Sequence, residues 1–119
     1  MDFALFVQRT ITQDKRNCFA KYHGDLSFVP KEMLCFYRDY DPIDVEVEID
    51  GATLRFVPAL ELKEVQMEYS QISNSFVFAT NNGDPIFIHE GAVYTCPHGV
   101  QQAEWEKLAD SLESYLIYR

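Results

Sequence analysis

A chain of 119 residues fits one domain, whose core can close without metals or disulfides to hold it. Hydrophobic residues make up 47% of it, with nine Phe and seven Tyr, which excludes intrinsic disorder. The formal net charge of −9 repels nucleic-acid backbones and anionic lipid, so neither nucleic acid nor membrane is an expected partner.

The charge is uneven. Met1 to Arg38 carries six basic and four acidic residues, whereas Asp39 to Arg119 carries four basic and fifteen acidic. No apolar run approaches the roughly 20 residues of a membrane span, and Met1 to Val7 lacks the marks of a signal peptide, so the expected location is cytoplasmic. Cys18, Cys35 and Cys96 are odd in number and scattered, which suits reduced thiols rather than a disulfide framework.

In chain order, Phe3, Phe6, Val7 and Thr10-Ile11 recur at helical spacing and predict a helix from about Asp2 to Asp14. Lys15 to Phe28 carries no clear period. Pro30 suits the first turn of a second helix with Met33, Leu34, Phe36, Tyr37 and Tyr40 on its apolar face, stopped by Asp41-Pro42. At that spacing Phe36, Tyr37 and Tyr40 read as core rather than as an exposed aromatic patch.

Val45 to Val57 alternates with period two about Asp50-Gly51, a dipeptide that supplies the positive φ angles of a tight hairpin. A two-residue loop pairs Ile49 with Ala52, Val47 with Leu54 and Val45 with Phe56 on a core face. Glu48 then meets Thr53, and Glu46 meets Arg55, on a wet face. Pro58 ends the strand, and Leu62, Val65 and Tyr69 mark a helix from about Ala59 to Tyr69. Phe76 to Thr80, Pro85 to His89 and Ala92 to Cys96 read as strands joined by turns at Asn81 to Asp84 and at Glu90-Gly91. Trp105, Leu108, Ala109, Leu112 and Leu116 predict a closing helix, with Glu104 and Glu106 near the positive end of its dipole. The expected class is α+β: one domain over residues 1–119, with an antiparallel or mixed sheet of about five strands against helices.

Chemistry-bearing motifs are sparse. Asn82-Gly83-Asp84 reads as turn chemistry rather than a ligand loop. Cys96-Pro97-His98, with His89, invites a metal or Cys-His nucleophile reading, but a second spaced ligand pair and an orienting third group are missing. Nucleotide, lipase-like and zinc-protease signatures do not occur. No cofactor is expected.

Val29-Pro30 leading into Phe36-Tyr37, Phe78 to Ile88, Gly91-Ala-Val-Tyr94, His98-Gly99 and Trp105 to Ala109 with Leu112 to Leu116 resemble the SUKH superfamily. The likeness is strongest over residues 29–116. That family joins fungal cell-wall-synthesis regulators to bacterial immunity proteins that neutralise toxins. The resemblance implies a non-enzymatic scaffold that binds another protein, such as a toxin nuclease, and the acidic charge adds that the partner is basic. The alternatives are a regulatory or structural interaction domain without a toxin, and a small enzyme of unknown chemistry. The residues expected to meet a basic partner are Glu46, Glu48 and Asp50 on the first hairpin, with Asp84 and Glu90 in the later turns.

Overall fold

The structure is a computed structural model that describes residues 2–100 and 103–118. The expected first helix is α1, Phe3–Gln13, its N-terminus capped by the Asp2 carboxylate accepting from the Ala4 N–H at 3.1 Å. The unread stretch that follows holds β1, Cys18–Ala20. Pro30 caps α2, Lys31–Asp39, which buries Met33, Phe36 and Tyr37. Phe36 and Tyr37 are thus core, as their spacing implied.

Asp41-Pro42 does more than end a helix. It opens β2, Asp41–Asp44, which pairs antiparallel with β1, Phe19 opposite Pro42. A two-stranded ladder tolerates a proline because each strand has a free edge. The Asp41 carboxylate turns inward and accepts from the Ala59 N–H at 2.8 Å, capping the 3₁₀ turn Ala59–Glu61 that leads into α3, Leu62–Glu68.

The first hairpin has the expected register. In β3, Glu46–Ile49, and β4, Ala52–Phe56, Glu46 faces Arg55, Val47 faces Leu54, Glu48 faces Thr53 and Ile49 faces Ala52. Three more strands follow: β5, Phe76–Asn81; β6, Asp84–His89; and β7, Ala92–Thr95. All three hairpin turns place two consecutive residues at positive φ: Asp50-Gly51, Asn82-Gly83 and Glu90-Gly91. That is the type I′ geometry, whose twist matches the strands.

The closing helix is shorter than its stripe predicted. Glu106–Ala109 is a strand, β8, paired antiparallel with β7, and the helix α4 spans only Leu112–Leu116. Glu104 and Glu106 therefore lie at no helix N-terminus. The outer edge of β7 needs a hydrogen-bonding partner, and that demand overrides a 3.6-residue period. Ser111 and Ser114 then start α4 with a reciprocal capping box.

The result is α+β, with a six-stranded antiparallel sheet in the order β3-β4-β5-β6-β7-β8, one strand more than the expected five or so, beside the small β1-β2 ladder. One face carries the main core, where Phe3, Phe6, Phe36, Phe56 and Phe78 meet ring to ring. A β-bulge near Phe78 lets Phe78 and Ala79 both join this core, while Val77 points to the other side. There Val77, Phe87 and Cys96 are covered by Val65, Tyr69 and Ile72. No helix among the described residues is long and apolar enough to cross a membrane.

Candidate functional site: the acidic hairpin face

Alternation along β3 sends Val47 and Ile49 into the core and leaves Glu46 and Glu48 exposed. The strand lies at the sheet edge, and side-chain amides from the end of α1 and the segment after it close that edge. Gln13 Nε2 donates to the Glu48 carbonyl at 3.0 Å, and Gln13 Oε1 accepts from the Glu48 N–H at 2.9 Å. Asn17 Oδ1 accepts from the Glu46 N–H at 2.8 Å, while its Nδ2 donates to the Thr10 carbonyl at 3.0 Å. The backbone is thereby blocked against strand addition, and the carboxylates remain outward.

The nearby cations are already engaged. Arg55, opposite Glu46, reaches Glu61 at 3.2 Å, and Arg16 is held by Asp14 at 2.7 Å. Asp50 stands at the tip of the same hairpin, exposed, at φ 52. Glu46, Glu48 and Asp50 thus share one hairpin, with Asp44 just ahead of it, and present a field of one sign.

Asp84 and Glu90 do not join them. In the antiparallel meander, the Asp50-Gly51 and Asn82-Gly83 turns fall at one end of the sheet and Glu90-Gly91 at the other. Asp84 is also committed to an internal contact: its Oδ1 accepts from the His98 N–H at 2.9 Å and lies 2.6 Å from His98 Nδ1. These hydrogen bonds hold the Asp84 carboxyl below its ordinary value. The Tyr69 hydroxyl donates to the Gly83 carbonyl at 2.6 Å, and the His98 ring lies so close that a Cβ on Gly83 would sit 3.1 Å from its Cε1. Asp84 therefore fastens the 96–99 segment over its turn.

Cys96 and His98 do meet, at a small cavity of about 70 Å³ that Tyr69, Ile72 and Trp105 also line. His89 is not part of it. Its Nδ1 donates to the Asn74 carbonyl at 2.8 Å, and its ring packs edge-on against Trp105 at 4.9 Å, with Phe87 and Tyr94 completing an aromatic group. Burial, and then the Asp84 charge, push the Cys96 thiol up, away from the thiolate a nucleophile requires. No group of three or more His, Cys, Asp or Glu suited to a metal occurs among the described residues. The helical period that claims Trp105 hides this aromatic group from the sequence; Phe87 and His89, two apart on one strand, carry its available signal.

No protein-family model, curated protein or solved structure matches this chain.

Proposed function

We propose that this chain is a non-enzymatic protein-binding module that blocks a basic protein partner by stoichiometric association across the outer face of β3 and β4. The observation that carries this reading is the uncovered acidic face itself, whose neighbouring cations Arg55 and Arg16 are taken by Glu61 and Asp14. Carboxylates so arranged add little contact energy, but they steer encounter and disfavour acidic competitors. A nuclease toxin domain is the partner class that fits, since its substrate groove is basic and an acidic face competes with nucleic acid for it. The sequence resemblance to the SUKH superfamily agrees with such an immunity role. A cytoplasmic interaction domain without a toxin is the second reading, and the same face would serve it.

The experiment is a pull-down from the native host, followed by association kinetics with the recovered partner. Reversing Glu46 and Glu48 to Lys should slow the on-rate at least about tenfold at low salt, and raising salt should erase most of the difference. An on-rate indifferent to both reversal and salt would place the binding surface elsewhere.

A further inference from the structure

At the end of the sheet away from the Asp50 turn, a groove of about 720 Å³ opens between α3, the segment before α2 and the β6-β7 turn. Its floor is apolar: Phe28, Phe76 and Ile88, with Met67 on the wall 76% exposed. The volume falls in the range of small-molecule and side-chain pockets. Its charges are lopsided. Lys63 is drawn to Asp25 at 3.4 Å and lies over the Phe28 ring at 5.4 Å, so its charge is already balanced. Glu32 and Glu90 on the rim have no Lys or Arg within ion-pair distance among the described residues, and the Glu90 carboxylate lies 3.8 Å from His89 Nε2.

Glu90 adds a second clue. It occupies the first position of a type I′ turn at φ 49, where Asp50 and Asn82 stand in the other two hairpins. Asn, Asp and Gly tolerate this left-handed region far better than Glu does. A strained residue on the rim of an apolar groove is a reason to look for a ligand there.

We infer that this groove docks a basic peptide segment that inserts one apolar side chain onto Phe76 and Ile88 between cations that meet Glu32 and Glu90. The inference rests on the reading that the partner is a basic protein, and it supplies the apolar anchor that the acidic hairpin lacks. A second copy of the chain is the wrong occupant, because a net charge of −9 repels its like.

The test is an NMR titration of the labelled protein with the peptide acetyl-Lys-Lys-Leu-Lys-Lys-amide, with Ser-for-Leu and Glu-for-Lys peptides as controls. Amide shifts should concentrate on Ser75, Phe76, Ile88 and Gly91. Replacing the Leu by Ser should weaken binding about tenfold, as loss of one buried aliphatic side chain implies. Met67→Asp, at an exposed position that leaves the fold intact, should weaken it similarly. Glu90→Asn should raise the melting temperature by a few degrees while lowering peptide affinity about threefold, so that turn geometry and ligand charge pull apart. No binding of the Leu peptide, equal binding of the Leu and Ser peptides, or a Glu90→Asn variant with unchanged affinity would overturn the inference. Shifts confined to Glu46, Glu48 and Asp50 would also overturn it, yet leave the acidic-hairpin reading standing.

Discussion

Replacing Gln66 by Met tests whether one side-chain amide stands in for a missing strand. β4 ends at Phe56, so the edge of β5 beyond Phe78 has no strand beside it on that side among the described residues. Gln66 fills the gap: its Nε2 donates to the Val77 carbonyl at 2.8 Å, and its Oε1 accepts from the Val77 N–H at 2.8 Å. Val77 is only 1% exposed, so truncation leaves a buried donor and acceptor together. Each such orphan costs about 1–3 kcal/mol, reduced here because Gln66 itself is half-buried and water can partly enter. Met matches the length and helix propensity of Gln, so helix stability cancels. The expected loss is about 3 kcal/mol, a urea midpoint shift of about 1–2 M with an unchanged slope. Gln13→Met is the internal control. Gln13 makes the same bidentate contact with Glu48, but both residues are exposed, and water can replace the amide at a cost of about 0.5 kcal/mol. Equal losses from the two variants, or less than about 1 kcal/mol from Gln66→Met, would refute the claim that burial decides the value of this contact.

Val47→Asp should cost about 4 kcal/mol or prevent folding, since Val47 is 4% exposed, while Glu48→Lys should stay within about 0.5 kcal/mol; chemical denaturation of both checks the face assignment. Asp41 supplies a pH test. Desolvation raises its carboxyl above the ordinary value, and the Ala59 N–H opposes that shift. The folded chain therefore holds this proton more tightly than the unfolded chain. Its contribution is full below the unfolded pKa of about 4 and is lost as pH rises through the raised folded value. Asp41→Asn keeps an acceptor for Ala59 and removes the titration, so wild type should lose stability relative to the variant as pH rises above about 4. A difference constant with pH would contradict the burial argument. Thiol titration of native protein should give two fast cysteines, the exposed Cys18 and Cys35, and a slow Cys96; three equal rates would mean that Cys96 is open to solvent.

The parts of the fold legible in the sequence were those fixed by local chemistry. Asp50-Gly51, Asn82-Gly83 and Glu90-Gly91 each dictate a turn, and a two-residue turn dictates register, so alternation alone assigned Glu46 and Glu48 to the outer face. Where two local codes coincided, the reading failed. Trp105, Leu108, Ala109, Leu112 and Leu116 fit a helical period, but a strand followed by a Ser111-capped helix uses the same residues, and only the unpaired edge of β7 decides between them. The same limit applies to the site. That Asp84 is tied to His98 and that Glu90 overlooks an apolar groove depend on contacts between distant segments, which no spacing encodes.

Because every strand of the main sheet pairs with the strand next to it in sequence, β-structure can grow strand by strand with modest loop-closure entropy at each step. α1 follows the opposite rule. Its Gln13 binds Glu48, 35 residues on, and Arg9 donates to the Ile117 carbonyl, 108 residues on. During synthesis on a ribosome, this helix emerges before the segments it binds. Phe3 and Phe6 meet core rings once Phe36 and Phe56 have appeared, but the Arg9 contact waits for Ile117, so the last anchor of this helix on a newborn molecule is set by the most distant segment rather than by the sheet.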